Sequence, residues 1–208
     1  MSVTVGILII TGLISYQAFS NRVMFEKLKH HPFTEQRQKQ YYRLLSSGFV
    51  HGSMNHLLIN GFVLYMFGRF VEDLFARDFG AWGPVMFLLL YLTAIVAGDL
   101  PSHFKHKNNP NYSAVGASGA TSALVLIYCL YNPWGWFIYP PVPAIVFGIG
   151  YLFYSSWADK TNRADGIGHS AHLWGALWGI AFYLTSNPSA IMDFWYRLMQ
   201  GPSMPSFF

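Results

Sequence analysis

A serine, three histidines and an asparagine stand out from an otherwise apolar chain. Ser118 sits in Gly116-Ala117-Ser118-Gly119-Ala120, with glycine two before it and one after it. Such small neighbours let another helix, or a substrate backbone, approach closely. His172 sits in Gly168-His169-Ser170-Ala171-His172-Leu173-Trp174-Gly175, and Gly175 and Gly179 form a Gly-x-x-x-Gly pair beyond it. A Gly116/Gly119 surface against a Gly175/Gly179 surface would bring His172 within reach of Ser118, the arrangement of a hydroxyl nucleophile and its histidine base. Taken alone, the Gly-x-Ser-Gly tetrapeptide is equally well explained as helix packing. A third set reads His51-x-x-x-x-His56-x-x-x-Asn60. On a helix His56 and Asn60 are about 40° apart and share a face, whereas His51 is about 140° from His56. An Asn amide and an imidazole N–H, joined by the Ser118 backbone N–H, are the donors that a developing oxyanion requires; the plainer alternative is polar glue between helices.

These histidines do not read as a metal site. The expected helical geometry separates His51 from His56, and the single cysteine, Cys129, leaves no thiolate pair. The His-Glu-x-x-His signature of zinc hydrolases is absent. No metal or cofactor is expected.

The elements that must carry these groups follow from where the charges are missing. Only 11% of the 208 residues are charged and 53% are hydrophobic, whereas soluble domains carry about 25% charged residues. That composition excludes an ordinary soluble domain and a disordered chain. The small basic excess, 13 Lys and Arg against 9 Asp and Glu, reads as loop charge on a membrane protein rather than a nucleic-acid surface. Five uncharged windows cover 1–21, 44–68, 79–98, 108–158 and 166–192. A membrane span needs about 20 mostly apolar residues. The longest window holds two, divided by the turn signal Asn132-Pro133-Trp134-Gly135. Six spans are expected, with cores at 3–19, 49–71, 84–99, 114–131, 141–157 and 169–186, and the cluster Pro140-Pro141-Val142-Pro143 in the first turn of the fifth. The first apolar run has no basic residue before it and reads as a span rather than a cleaved signal. The fold expected is an all-α membrane protein, one six-helix domain over 1–186. The stretch 187–208 reads as a short interfacial tail. Ten of the 13 basic residues lie in the odd-numbered loops. Charge alone therefore places those loops in the cytoplasm.

Together, in this order and on these spans, the three motifs resemble those of the rhomboid intramembrane serine proteases, over roughly 3–186. The resemblance implies a six-transmembrane rhomboid-like bundle, of the bacterial type, in an inner (cell) membrane. It implies a Ser118–His172 dyad with no acidic third member, and an oxyanion hole from Asn60, His56 and the Ser118 N–H. It makes His51 a structural histidine ordering the first loop, and gives His169 no catalytic place. Transmembrane proteins would be the substrates and the bilayer the setting. A catalytically inactive relative that binds transmembrane helices is the alternative, disfavoured by the intact Ser118, Gly119 and His172. Residues 155–168 would cap the site, and 53–55 and 108–113 would admit water. Three departures bear on this. Tyr42-Arg43 stands where the family often has Trp-Arg. Ser122 stands where bacterial members stack an aromatic ring on the catalytic histidine, leaving Trp174 or Trp178 as substitutes. The family usually puts the odd loops outside, against the charge tally.

Overall fold

The computed structural model describes residues 2–137, 140–161 and 168–202. Among them regular structure is helical, with two isolated β-bridges. α1 (Val3–Ser20) leads into three short helices, α2 (Arg22–Leu28), α3 (Pro32–Gln38) and α4 (Arg43–Ser46). Then come α5 (Met54–Val63), α6 (Arg69–Phe79), α7 (Gly83–His106), α8 (Ser118–Tyr131), α9 (Ala144–Lys160), α10 (His169–Ser186) and α11 (Ala190–Met199).

Side-chain contacts fix the helix directions. Gly119 faces Gly175 and Ala123 faces Gly179, so α8 and α10 run parallel. His56 faces Gly116 and Asn60 meets Thr121, so α5 runs with them. Gly98 lies on Ala171 while Thr93 receives the Trp178 indole N–H, which makes α7 antiparallel to α10. α1 runs against α5, through Ser15–His51 at one end and Thr4–Gly68 at the other. α9 runs against α8, through Tyr151–Ser122 and Gly148–Cys129. The N-termini of α5, α8 and α10 therefore gather at one end.

The exterior is apolar and the interior partly polar, inverting a soluble protein. Leu13, Ile59, Phe62 and Phe153 are more than half exposed, while Ser15, Glu35 and His51 are fully buried. By length and composition, Val3–Ser20 and the run Met54–His106 are apolar enough to cross a membrane. That second run reverses at Gly80, whose φ of 56° and ψ of −126° suit glycine, and α6 and α7 pack together. Its first half continues from α5 to α6 through a π turn, Leu64–Gly68.

Helix ends are satisfied by identifiable groups. The Glu72 carboxylate accepts from Ser2 Oγ at 2.6 Å, Val3 N at 2.7 Å and Thr4 N at 3.0 Å. A carboxylate on another helix thus caps α1, where orphan N–H groups and the helix dipole favour negative charge. At the opposite end of the bundle from Ser118, Asp78 accepts from Arg77, the Tyr183 hydroxyl (2.8 Å) and Asn187 Nδ2 (2.9 Å), tying α6 to α10.

Several expected boundaries move. The second helix begins at Met54, not 49, because the Ser53 side chain accepts the His56 N–H and starts it there. The third runs through Pro101 to His106, seven residues beyond the expected core. The fourth starts at Ser118 rather than 114. The prolines expected inside the fifth helix precede it, with Pro143 at its N-cap. The sixth matches. In the tail, α11 leaves Met192, Trp195, Tyr196 and Met199 exposed. It docks through Arg197 Nη1 to Tyr131 O (2.6 Å) and Trp134 Nε1 to Leu198 O (3.0 Å).

Candidate active site

Ser118 is the first residue of α8, after Ala117, and is half-buried. The first bond of that helix runs from Thr121 N to Ala117 O. The Ser118 N–H is therefore one of the orphan donors of a helix N-terminus. Gly116 holds a φ of 116°, open in practice only to glycine. A β-carbon there would lie 2.5 Å from His56 Cε1, so glycine also makes room for the imidazole.

Of the four glycines, Gly119 and Gly175 face each other, while Gly116 lies against His56 and Gly179 against Ala123. A β-carbon on Gly175 would fall 2.6 Å from Gly119 Cα, and one on Gly179 would fall 2.6 Å from Ala123 Cβ. The first turn of α8, which carries Ser118, thus lies against the start of α10. His172 stands there, half-buried, one turn before Gly175.

Asn60 is buried beside them. Its Nδ2 donates to His56 O at 3.0 Å, and its Oδ1 lies 3.2 Å from the Thr121 hydroxyl. The amide is oriented by both contacts, and one of its two N–H bonds is left over.

His51 is corrected in place and sharpened in role. It precedes α5 instead of lying on it, so the helical angle does not apply. The turn through Gly52 and Ser53 brings its ring to 4.9 Å from that of His56, edge to face. The supposed separation of the two rings is therefore wrong. Among the described residues, no three His, Cys, Asp or Glu side chains converge as metal ligands. Proton bookkeeping fixes the His51 tautomer. Ser15 Oγ gives its one hydrogen to Phe49 O (2.9 Å), so His51 Nδ1–H must donate to Ser15 Oγ (2.9 Å). His51 Nε2 then accepts the Ala117 N–H at 3.4 Å. The residue ties the turn before Ser118 to α1.

Neither tryptophan takes the place of the missing aromatic. Trp174 and Trp178 are 44% and 40% exposed, and Trp178 Nε1 donates to Thr93 at 2.9 Å. The ring that lies nearly parallel to His172 belongs to Tyr151 of α9, 6.0 Å away and inclined by 19°. Sequence reasoning missed it, since a tyrosine within a long uncharged window carries no signal of its own.

A second network was also missed. Glu35, fully buried, accepts from His30 Nδ1 and His103 Nδ1, each at 2.7 Å, and from His31 N at 2.8 Å. Ser102 Oγ gives its hydrogen to Asp99 O, so His30 Nε2 must donate to Ser102 as well. With both nitrogens donating, His30 is an imidazolium paired with the Glu35 carboxylate. Burial pulls the His30 pKa down, but the Glu35 hydrogen bond and the charges of Asp99 and Glu35 leave it raised overall. Burial likewise pushes Glu35 up, and His30 with His103 outweighs it, leaving it lowered. This clamp joins the first loop to α7, and His30 pairs through its backbone with Ala114, both bonds 3.0 Å. Arg43, the arginine kept in the Tyr42-Arg43 pair, is buried and donates to Glu26 O, Lys29 O and Gln40 Oε1.

Residues 53–55, 108–111 and 113 are exposed, as a water route requires. The expected cap at 155–168 falls partly on residues 162–167, which lie outside those described.

Known proteins are similar to this chain in sequence. The Rhomboid domain family model matches residues 38–188. Rhomboid-like protein 11, chloroplastic, of Arabidopsis thaliana is 32% identical over 170 residues, covering 74% of this chain and 56% of that protein. RHOMBOID-like protein 12, mitochondrial, of the same plant is 29% identical over 144 residues, covering 64% and 43%. The human presenilin-associated rhomboid-like protein, mitochondrial, is 26% identical over 167 residues, covering 74% and 42%. The chain spans about half the length of these relatives. Their names carry chloroplast and mitochondrial addresses, which lend the expected bacterial cell membrane no support. With the model matching well over half of its residues, the chain belongs to the rhomboid family of integral membrane proteins.

Proposed function

We propose that this chain is an intramembrane serine endopeptidase that cuts transmembrane segments of other membrane proteins. Ser118 is the nucleophile and His172 its general base and acid. His172 takes the hydroxyl proton as Ser118 Oγ attacks the substrate carbonyl. Asn60 Nδ2, a His56 N–H and the Ser118 backbone N–H hold the oxyanion. His172 then protonates the leaving amine, and water entering past 53–55 and 108–113 releases the acyl group. The observation that carries this reading is the Gly119–Gly175 contact, which lays the first turns of α8 and α10 together with Ser118 and His172 on them. The common direction of α5, α8 and α10 adds to it, because three positive helix ends favour an oxyanion.

The domain is 1–186, with six membrane crossings formed by α1, α5 with α6, α7, α8, α9 and α10, and 187–208 is an interfacial tail. The odd-numbered loops face away from the cytoplasm, as is usual in the family. Cysteines at the exposed Lys160 and Arg77 test this: only the first should react with an impermeant thiol reagent in intact cells or organelles, and the reverse pattern refutes it.

Activity is tested with a fluorophosphonate probe and a transmembrane substrate, using the detergent-solubilised protein. Wild type should label and cleave, while Ser118→Ala and His172→Ala should do neither. Equal behaviour of wild type and Ser118→Ala toward both reagents overturns the reading. A folded wild type that binds the substrate helix without labelling or cleavage would identify an inactive helix binder.

A further inference from the structure

We propose that Tyr151 is the positioning residue for His172, supplied by α9, a helix that carries none of the three sequence motifs. The inference rests on the dyad described above. His172 stands within the first turn of α10, half-buried, with the His169 ring edge-on to it at 6.1 Å. The Tyr151 ring lies against it at 6.0 Å and 19°, within the range of offset stacking.

Two hydrogen bonds hold that ring. Ser122 Oγ gives its one hydrogen to Ser118 O at 2.6 Å. The 2.5 Å contact between Ser122 Oγ and the Tyr151 hydroxyl must then have the phenol as donor. A single chain, Tyr151 O–H to Ser122 Oγ to Ser118 O, thus ties the backbone of the nucleophile to the ring that flanks the base. Behind it, Phe147 lies 5.8 Å from Tyr151 at 18°, and Phe137 lies 4.5 Å from Phe147 at 26°. The column leaves Tyr151 little room to tilt. It also gives Ser122 a purpose: a hydroxyl at this position anchors a ring arriving from the neighbouring helix.

The test compares Tyr151→Leu, Tyr151→Met, Tyr151→Phe, Ser122→Ala and Phe147→Leu in detergent. Labelling rate with the fluorophosphonate probe and kcat and KM on a transmembrane substrate are the readouts, with Tm as the check on folding. Tyr151→Leu should lose the stack and slow both labelling and kcat about ten- to hundred-fold, with KM within about two-fold. Tyr151→Met, unbranched and of similar reach, should give the same loss if the leucine variant does not fold. Tyr151→Phe keeps the ring and should restore rates to within about three-fold of wild type, as should Ser122→Ala. Phe147→Leu, one turn back on the column, removes the ring behind Tyr151 and should slow labelling, but by less than Tyr151→Leu does. A folded leucine or methionine variant that labels at the wild-type rate overturns the proposal. So does a Tyr151→Phe variant as slow as Tyr151→Leu. A wild type that does not label at all would sink the dyad, a result distinct from either.

Discussion

Replacing Gly175 by alanine tests the helix contact on which the active-site reading depends. The added β-carbon would lie 2.6 Å from Gly119 Cα and closer still to the Gly119 carbonyl oxygen, where ordinary contact begins at 3.4 Å. Both neighbours are backbone, so no side chain can swing aside. Relieving the closest of these contacts, to the carbonyl oxygen, requires the helices to part by more than about 1 Å at this level, and a misplacement of about 1 Å at a reacting centre costs roughly 10²-fold. The effect on stability is smaller. Overpacking costs about 1–3 kcal/mol, and Gly→Ala returns about 1 kcal/mol of helix propensity. The expected variant is folded, with Tm lowered by a few degrees, yet about a hundred-fold slower in probe labelling and substrate cleavage. Gly12→Ala and Gly150→Ala, with nothing within 4 Å of their added carbons, are the controls and should match wild type. A folded Gly175→Ala variant within about three-fold of wild-type activity would falsify the claim that this contact sets the distance between Ser118 and His172.

Three further outcomes are expected. Asn60→Ala should lower kcat by about one to three orders of magnitude, the usual cost of one oxyanion donor, and unchanged turnover removes Asn60 from the site. Gly116→Ala combines a φ of 116° with a 2.5 Å approach to His56; it should abolish labelling, and a fully active variant would mean that His56 is not held where the structure has it. The third concerns pH. The His30 pKa is raised above its ordinary 6.5, so its contribution to stability is complete below 6.5 and lost as pH climbs through the raised value. The Glu35 pKa is lowered from 4.5, so its contribution is complete above 4.5 and lost as pH falls through the lowered value. Between about pH 4.5 and 6.5 the clamp is whole. Thermal melts should show wild type losing stability on the alkaline side. Glu35→Gln, less stable at pH 6, should lose less between pH 6 and 9; parallel curves for the two proteins refute the ion pair.

How much of this was legible depended on the length scale of each signal. The positions of α1, α7 and α10 follow from charge-free windows of 20 residues or more, and that of α8 from a longer window divided by the turn at Asn132-Pro133-Trp134-Gly135, signals too long to arise by accident. The Gly119–Gly175 contact was legible too, because neither residue has a side chain whose conformation must be guessed, whereas Gly116 meets His56 and Gly179 meets Ala123. His51 was misplaced because a helical period was applied to a residue that Ser53 leaves outside the helix. Tyr151 was illegible for a different reason. Its partners, Ser122 and His172, lie on other helices, and no periodicity along α9 reports what faces it. His30, Glu35 and His103 are spread over 74 positions of the sequence and looked like loop charge. Their pairing depends on the Pro32 turn and on α7 running on to His106, neither of which the uncharged windows could reveal.

The segment leading into Ser118 has almost no regular structure of its own, yet nearly every position in it is held by a different element. Ala114 pairs with His30 of the first loop, Gly116 N–H reaches Ser47 O at 2.9 Å, Ala117 N–H reaches His51, and Ser118 O receives Ser122. His51 is in turn fixed by Ser15 of α1, and His30 by Glu35. In a low-dielectric interior each unpaired member of such a network is costly, so the contacts form together or not at all. That places the first loop within the support of Ser118 rather than on the periphery. It also gives the buried Glu35 a place in that support, through His30. Donors that meet an oxyanion without rearranging have to be fixed before substrate arrives; on the proposed reading the fixing around Ser118 is done by Ser122 of its own helix and by His30, Ser47 and His51 from outside it.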